Sequence, residues 1–449
     1  MSYPAYPEYK DSGVEWLGEV PAHWNVDRLK WSAASCRNGL WGDEAQGDQN
    51  DFPCVRVADF DRDKMKVVLD RPTVRNVGPS ERAGRVLSKG DLILEKSGGG
   101  DKQPVGFVVL YSDDRAAICS NFTAKIELEQ GMDASYWKYC HAAAYSVRLN
   151  VPSIKQTSGI QNLDQKSYLD ERVVFPPQAE QEQIACFLDH ETARIDALIE
   201  EQQRLIELLK EKRQAVISHA VTKGLDPNVP MKDSGVEWLG EVPEHWNIVS
   251  LRHLVECCDG NRIPLNAEQR HKKKGDVPYW GASQIVDYVD EALFDEDLIL
   301  LGEDGAPFFD RSKSVAFFSR GPIWPNNHIH VLRPLLNRGC RWIVFALNIT
   351  DYSGFIEGAT RSKLTQSRMM TIPVPMPPEQ ERCQIISYID EEIGHINVLI
   401  EQASKVINLL QERRSALISA AVTGKIDVRD WTPPDSSAEP EYEHAGAAP

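Results

Sequence analysis

The sequence predicts an α+β protein in which two mixed α/β domains are separated by two long antiparallel helices that pair as a coiled coil, the whole forming a pseudo-twofold internal repeat. Three observations carry this prediction. From Glu180 to Thr222 there is neither Gly nor Pro, and apolar residues recur at alternating four- and three-residue steps, at Ile184, Leu188, Ile195, Leu198, Leu205, Leu209 and Val216, the spacing of a seam along a long helix. The seam returns 201 residues later as Ile385, Ile389, Ile396, Leu399, Val406, Leu410 and Leu417. A box from Lys10 to Asn25 reappears from Lys232 to Asn247 with a single change, Ala22 against Glu244.

The first element is a Tyr/Pro arm leading into the first box (1–26). The box, with two Trp, two Gly and a Pro, reads as a tight turn packed on aromatics, a structural cap. His23 and His245 have no acid or nucleophile at motif spacing, so the box carries no catalytic reading.

The segment 27–176 is the first variable domain. β-like runs occur at Cys54–Val57, Asp91–Leu94, Val105–Val109 and Thr123–Ile126, separated by Gly- and Asp-rich turns, with a helix expected around Ser135–Val147. Residues 177–226 form the first long helix. It is opened by Pro176-Pro177 and closed through Ala220-Val221-Thr222-Lys223-Gly224, as Pro opens and Gly closes helices. Glu191, Gln202 and Lys212 interrupt its seam and would fix the register of a pair.

The second box (227–248) and second variable domain (249–377) repeat the order. Asp297–Leu300 answers Asp91–Leu94, and Asn326–Val331 answers Asn121–Ile126, so both variable domains read as one fold with diverged surfaces. The last long helix, 378–427, has Glu392 and Arg413 in its seam and leaves through Ala421-Val422-Thr423-Gly424-Lys425. Residues 428–449, with Pro433-Pro434 and an acidic continuation, read as a disordered tail.

Composition bounds the function. With 449 residues, 42% hydrophobic and 26% charged, the chain holds two to four domains. No apolar run approaches a membrane span and no signal-peptide layout opens the sequence, so a cytoplasmic protein with free thiols at its nine Cys is expected. The formal charge of −17 argues against a nucleic-acid partner until it is resolved by segment. Residues 27–175 hold 21 basic and 21 acidic side chains and residues 249–376 hold 15 of each, so the acid lies in the helices, boxes and tail.

The order box, variable domain, helix, twice over, closely resembles the specificity subunits of type I restriction-modification systems. The Glu-Trp-Leu-Gly-Glu-Val-Pro-x-His-Trp boxes at 15–24 and 237–246 and the Pro-Pro steps running into Glu-Gln helix starts carry the resemblance, which covers nearly the whole chain. The second copy has Glu379-Gln380-Glu381 directly after Pro378, whereas the first reads Gln178-Ala179-Glu180-Gln181 after Pro177. The resemblance implies that the variable domains are target recognition domains, each reading half of a bipartite double-stranded DNA site. It also implies two methyltransferase subunits that modify adenine and motor-nuclease subunits that cut. S-adenosylmethionine, ATP and Mg would belong to those partners, and this chain would hold no cofactor and no metal.

The absence of catalytic motifs agrees. None of the Pro-Pro steps has the flanks of an amino-methyltransferase motif, and Ser97-Gly98-Gly99-Gly100 lacks the Lys-Ser/Thr of a phosphate-binding loop. For DNA contact, the loop containing Lys96, Lys102 and Gln103 combines backbone freedom with side chains that read purine edges. Lys155, Gln156, Arg361 and Lys363 lie just before each helix approach, Lys272, Lys273 and Lys274 suit phosphates, and Arg56 and Arg311 complete the candidates. Two other readings are compatible with the neutral variable domains: a non-enzymatic coiled-coil scaffold and a stand-alone DNA-binding protein.

Overall fold

The computed structural model describes residues 3–157, 159–335, 339–357 and 362–434. They fall into two compact units, Met1–Glu200 with Ile407–Pro449 and Glu201–Val406.

In the first unit, strands β1 (Ala33–Asn38), β2 (Leu92–Glu95), β3 (Ser97–Gly98), β4 (Val108–Leu110) and β5 (Thr123–Leu128) precede helix α1 (Ala134–Ser146). Four of them form an antiparallel sheet in the order β1-β5-β2-β4, extended by Lys66–Val67 and Phe60–Asp61. β2 is central because Leu92, Ile93 and Leu94 are apolar on both faces, and all three are buried. α1 starts where the Asp133 carboxylate accepts the Tyr136 amide at 2.7 Å, and it buries Tyr136, Trp137, Tyr139 and Cys140. Strands β6 (Ile154–Thr157) and β7 (Ile160–Leu163) form a hairpin whose second strand pairs with β3. Helix α2 (Gln178–Lys223) follows Pro176-Pro177 directly, so it begins two residues before the Gly- and Pro-free run from which it was read.

The second unit repeats this plan with β8 (Val255–Cys257), β9 (Leu298–Gly302), β10 (Ala316–Ser319), β11 (Ile329–Pro334) and α3 (Cys340–Ile349). Its sheet runs β8-β11-β9-β10, again antiparallel, with Leu298–Leu301 buried at the centre. A hairpin, β12 (Ile356–Glu357) with β13 (Lys363–Leu364), stands where β6–β7 stands in the first unit, and α4 (Glu379–Val422) starts after Pro377-Pro378. Among the described residues no helix is long and apolar enough to cross a membrane.

Each unit contains one end of each long helix, and the ends run antiparallel. In the first, Gln183 donates to the Val428 and Trp431 carbonyls at 3.0 and 2.6 Å, and Asp196 pairs with Arg414 at 2.9 Å. In the second, Arg213 donates to Asn397 at 3.3 Å while Ile217 and Val221 share a core with Ile385 and Ile389. The seam read from the sequence needs correction at its middle. Ile184, Leu188, Ile195, Leu209, Ile385, Ile389 and Ile396 are buried and Leu410 is half-buried, but Leu198, Leu205, Leu399 and Val406 are 44%, 42%, 48% and 41% exposed. The less exposed line passes one residue later, through the half-buried Ile199 and Ile206 in α2 and Ile400 and Ile407 in α4. Likewise Lys212 and Arg413 point out, and Arg213 and Arg414 take the inward places. The cause is the period: a strict 3.5-residue repeat drifts about 20° per heptad against a helix of 3.6, so a seam in register at the ends is displaced by mid-helix.

The boxes clamp the helix starts. Trp24 Nε1 and the Tyr6 hydroxyl donate to Glu180 Oε2 at 2.9 and 3.1 Å, and His23 Nε2 lies 2.6 Å from Oε1. Burial first, then the Glu180 charge, holds the Tyr6 phenol well above its ordinary range. In the second unit Trp246 Nε1 donates to Glu381 Oε1 at 3.0 Å and His245 Nε2 lies 2.7 Å from Oε2. The acid that neither His has at motif spacing in the sequence thus comes from the helix.

The tail does not begin at residue 428. Val428 is buried, Trp431 packs edge-on against Phe187, and the Asp427 amide donates to the Pro4 carbonyl at 2.7 Å. Residues 435–449, the remainder of the expected tail, lie outside the described residues.

Candidate nucleic-acid interface

The β6–β7 hairpin and the loop after β2 form one surface of the first unit. Register places Lys155, Asn162 and Ser97 in one row across β6, β7 and β3, and the Ser97 hydroxyl bonds to the Asn162 side chain. Lys155 and Asn162 are exposed on this face, whereas Gln161 and Leu163 are buried on the other. Gln156, exposed, lies opposite Gln161 in the register. The Leu163 amide donates to the Lys96 carbonyl at 2.8 Å, tying the hairpin to the end of β2. Lys96 Nζ and Gln165 Nε2 both donate to Oδ1 of the exposed Asn38, at 2.7 and 2.9 Å, which commits that oxygen. Burial pushes the Lys96 pKa down. Lys102 and Gln103 are exposed on a turn closed by the Gly100 amide on the Gln103 carbonyl at 2.9 Å. Gly99 is required in this turn: at φ +59° a side chain is strained, and a Cβ would lie 2.8 Å from the Val105 nitrogen.

Arg56 follows the strand Asp51–Val55 and makes a forked contact with Asp59 at 3.2 and 2.9 Å. Lys155 is likewise paired, with Asp164 at 2.6 Å, an acid that also caps the following short helix.

In the second unit the candidates are dispersed. Lys272 and Lys273 end the helix Ala267–Lys272 and its cap, pairing with Glu268 at 2.7 Å and Glu291 at 2.8 Å, and Lys274 opens the next strand. Arg311 faces Asp351 at 3.7 Å, beside a cleft lined by Lys210 and Glu211 of α2. Arg361 lies outside the described residues. Lys363, on β13, lies 3.3 Å from Glu303 Oε1.

Beneath Lys363 is a polar cluster that sequence reasoning did not find. His330, in the middle of β11 and 1% exposed, has Nδ1 2.6 Å from Asp259 Oδ2 and Nε2 2.8 Å from the Leu364 carbonyl. Arg262 donates to Glu303 Oε2 at 2.6 Å and to the Ile329 carbonyl at 2.8 Å. Burial works to raise the Asp259 pKa, but the bonds from His330 and Val331 and the charge of Arg262 outweigh it and hold the carboxyl below its usual range. Asp259, Glu303 and His330 bring ligand-type atoms within 4.8 Å of one another. Both ring nitrogens face acceptors and the carboxylates hold Arg262 and Lys363, so the cluster is an ion-pair network in form. A His within the apolar alternation of β11 was its only sequence signal.

The comparisons with known proteins converge. Residues 243–409 match the model of the type I restriction modification DNA specificity domain. The type I restriction enzyme MjaVIII specificity subunit of Methanocaldococcus jannaschii is 30% identical over 315 residues, 64% of this chain and 70% of that one. The MjaX specificity subunit named from the same organism is 23% identical over 447 residues, 92% of this chain and 96% of that one. A chain solved in work on complex assembly and conformational transition of the type I R-M system shares the fold at a TM-score of 0.66. Its identity is 14%, over 90% of this chain and 98% of that one.

Proposed function

Because this chain belongs to the family of type I restriction enzyme specificity subunits, we propose that it is the targeting subunit of a methyltransferase and endonuclease complex, reading a bipartite double-stranded DNA site. The observation that carries the reading is the repetition of one plan in both units: a four-stranded antiparallel sheet, a polar hairpin beside its central strand, and a box that clamps the start of a long helix. A two-stranded β-ribbon is an element that the major groove admits, and there all four base pairs are distinguishable. Asn, Gln and Lys side chains on the first hairpin surface have the donor and acceptor pattern of purine readers.

The long helices, of 46 and 44 residues, serve as the ruler that fixes how many unread base pairs lie between the halves. The chain works in the cytoplasm with two methyltransferase subunits, which supply S-adenosylmethionine chemistry on adenine, and with motor-nuclease subunits that use ATP and Mg. It performs none of that chemistry itself. Its cations are largely committed to carboxylates, as for Arg56, Lys155, Lys272, Lys273, Arg311 and Lys363. This favours weak binding to DNA by the isolated chain, since few free charges release counterions.

The test is reconstitution with a type I methyltransferase subunit and S-adenosylmethionine, followed by single-molecule sequencing of methylated adenines. A two-part motif with a fixed gap is expected, and exchanging 27–175 for the same segment of a relative should rewrite one half only. An exchange that rewrites both halves, or methyl transfer by the isolated chain, contradicts the proposal.

A further inference from the structure

We propose that His330 is a positioning residue for recognition of the second half-site, acting by bracing β13 and hence the Lys363 side chain it carries. The inference rests on the reading of the second unit as a half-site reader.

The first-unit hairpin holds itself: β6 and β7 pair over four residues, Ile154↔Leu163 to Thr157↔Ile160. In the second hairpin the described residues pair as Ile356↔Leu364 and Glu357↔Lys363, and β13 has further ties outside the hairpin. The Leu364 amide donates to the Glu303 carbonyl at 2.8 Å, the counterpart of the Leu163 bond to Lys96, and the Gly305 amide donates to the Ser362 carbonyl at 3.2 Å. The third tie has no counterpart among the described residues of the first unit. It is the bond from His330 Nε2 to the Leu364 carbonyl at 2.8 Å.

A backbone carbonyl and a carboxylate can only accept. His330 therefore donates from Nε2 to the Leu364 carbonyl while Nδ1 faces the Asp259 carboxyl, so the ring spans the gap from the turn after β8 to β13. The same network sets Lys363. Its ammonium lies 3.3 Å from Glu303 Oε1, while the other oxygen of Glu303 is held by Arg262 at 2.6 Å, and Arg262 Nη2 also reaches Asp259 at 3.4 Å. Asp259, Arg262, Glu303, His330 and Lys363 thus form a connected set of contacts, and removing the buried ring takes away its bond to the Leu364 carbonyl, leaving the Glu303 and Gly305 backbone bonds to hold β13 alone. At a reading site, small displacements of a base-contacting strand translate into lost discrimination.

The experiment uses the reconstituted complex of full-length chain and methyltransferase subunits, with His330→Gln and Asp259→Asn variants, on a DNA library carrying mismatches in either half. For H330Q, methylation at sites mismatched in the second half should rise about tenfold relative to the cognate site, of the order of one base-pair discrimination. Sites mismatched in the first half should stay rejected. D259N, which keeps an accepting oxygen, should relax the second half less. Unchanged stringency in H330Q overturns the proposal, and so does a uniform fall in methylation with both halves still stringent, which marks a purely structural residue. If the wild-type complex methylates no two-part motif at all, it is the reading of the chain that fails. Independently of variant folding, histidine-labelled wild-type protein should show a hydrogen-bonded Nε2–H proton on His330. Its absence overturns the proposal.

Discussion

His23 Nε2 lies 2.6 Å from Glu180 Oε1, across 157 residues of sequence, and the pair recurs as His245 and Glu381 at 2.7 Å. In both places the neighbouring Trp donates to the second oxygen of the same carboxylate. One glutamate in the first turn of each long helix therefore joins box to helix. Glu180→Ala should strand the Trp24 and Tyr6 donors and cost about 3 kcal/mol, at about 1–3 kcal/mol per buried group left unpaired. Glu381→Ala strands only Trp246, and its carboxylate is more exposed, 28% against 13%. Its cost should be closer to about 1 kcal/mol. Urea unfolding followed by tryptophan emission measures both, and equal losses would contradict the asymmetry.

The displaced seam gives a second test. Ile195→Ala and Ile396→Ala remove side chains that are 4% and 3% exposed and should each cost about 3 kcal/mol. Leu198→Ala and Leu399→Ala, nearly half exposed, should each cost under about 1 kcal/mol. The reverse order would restore the strict heptad register.

A third concerns acid. His141 is buried, with Nδ1 2.8 Å from the Tyr168 hydroxyl and no bond at Nε2, and burial pushes its pKa from 6.5 down to about 4. The unfolded chain binds this proton first as pH falls. The contribution is therefore complete above pH 6.5 and is lost on going down to about pH 4, an effect on the order of 3 kcal/mol. In His141→Gln the unfolding free energy should lack this component over that interval. A difference profile flat with pH would refute it.

The ruler is the fourth. One added turn advances a helix about 5.4 Å against about 3.4 Å per base pair. Four residues inserted after Gln202, with four more after Ala403, should widen the methylated motif's gap by one or two base pairs and leave both half-sites alone. An active extended protein with an unchanged gap would remove the helices from that role.

The repeat made much of the architecture legible. The central strands were visible as Asp91–Leu94 and Asp297–Leu300 because fully buried strands are continuously apolar, and α1 was placed within a residue of its ends. The seam was legible at its ends and not at its centre, where helix period outweighs heptad spacing. The clamps were invisible because His23 and Glu180 meet only after folding. At the hairpin surface, Lys96 and Lys155 announced themselves by charge, whereas Asn38, Asn162 and Gln165 are ordinary polar residues until register gathers them. The His330 network was missed for the same reason: its members come from four separate segments.

The first unit's core includes Ile418, Ala421, Val422 and Val428 beside Leu17, Val20 and Trp24. The second unit is one uninterrupted stretch, Glu201–Val406. A ribosome delivers these pieces in order, at about 5–20 residues per second, so the later-made unit can close first. The earlier one waits with the helix start of α2 uncovered until residues 407–431 emerge. During that interval Ile184, Leu188 and the aromatic box lack the C-terminal residues that complete their core.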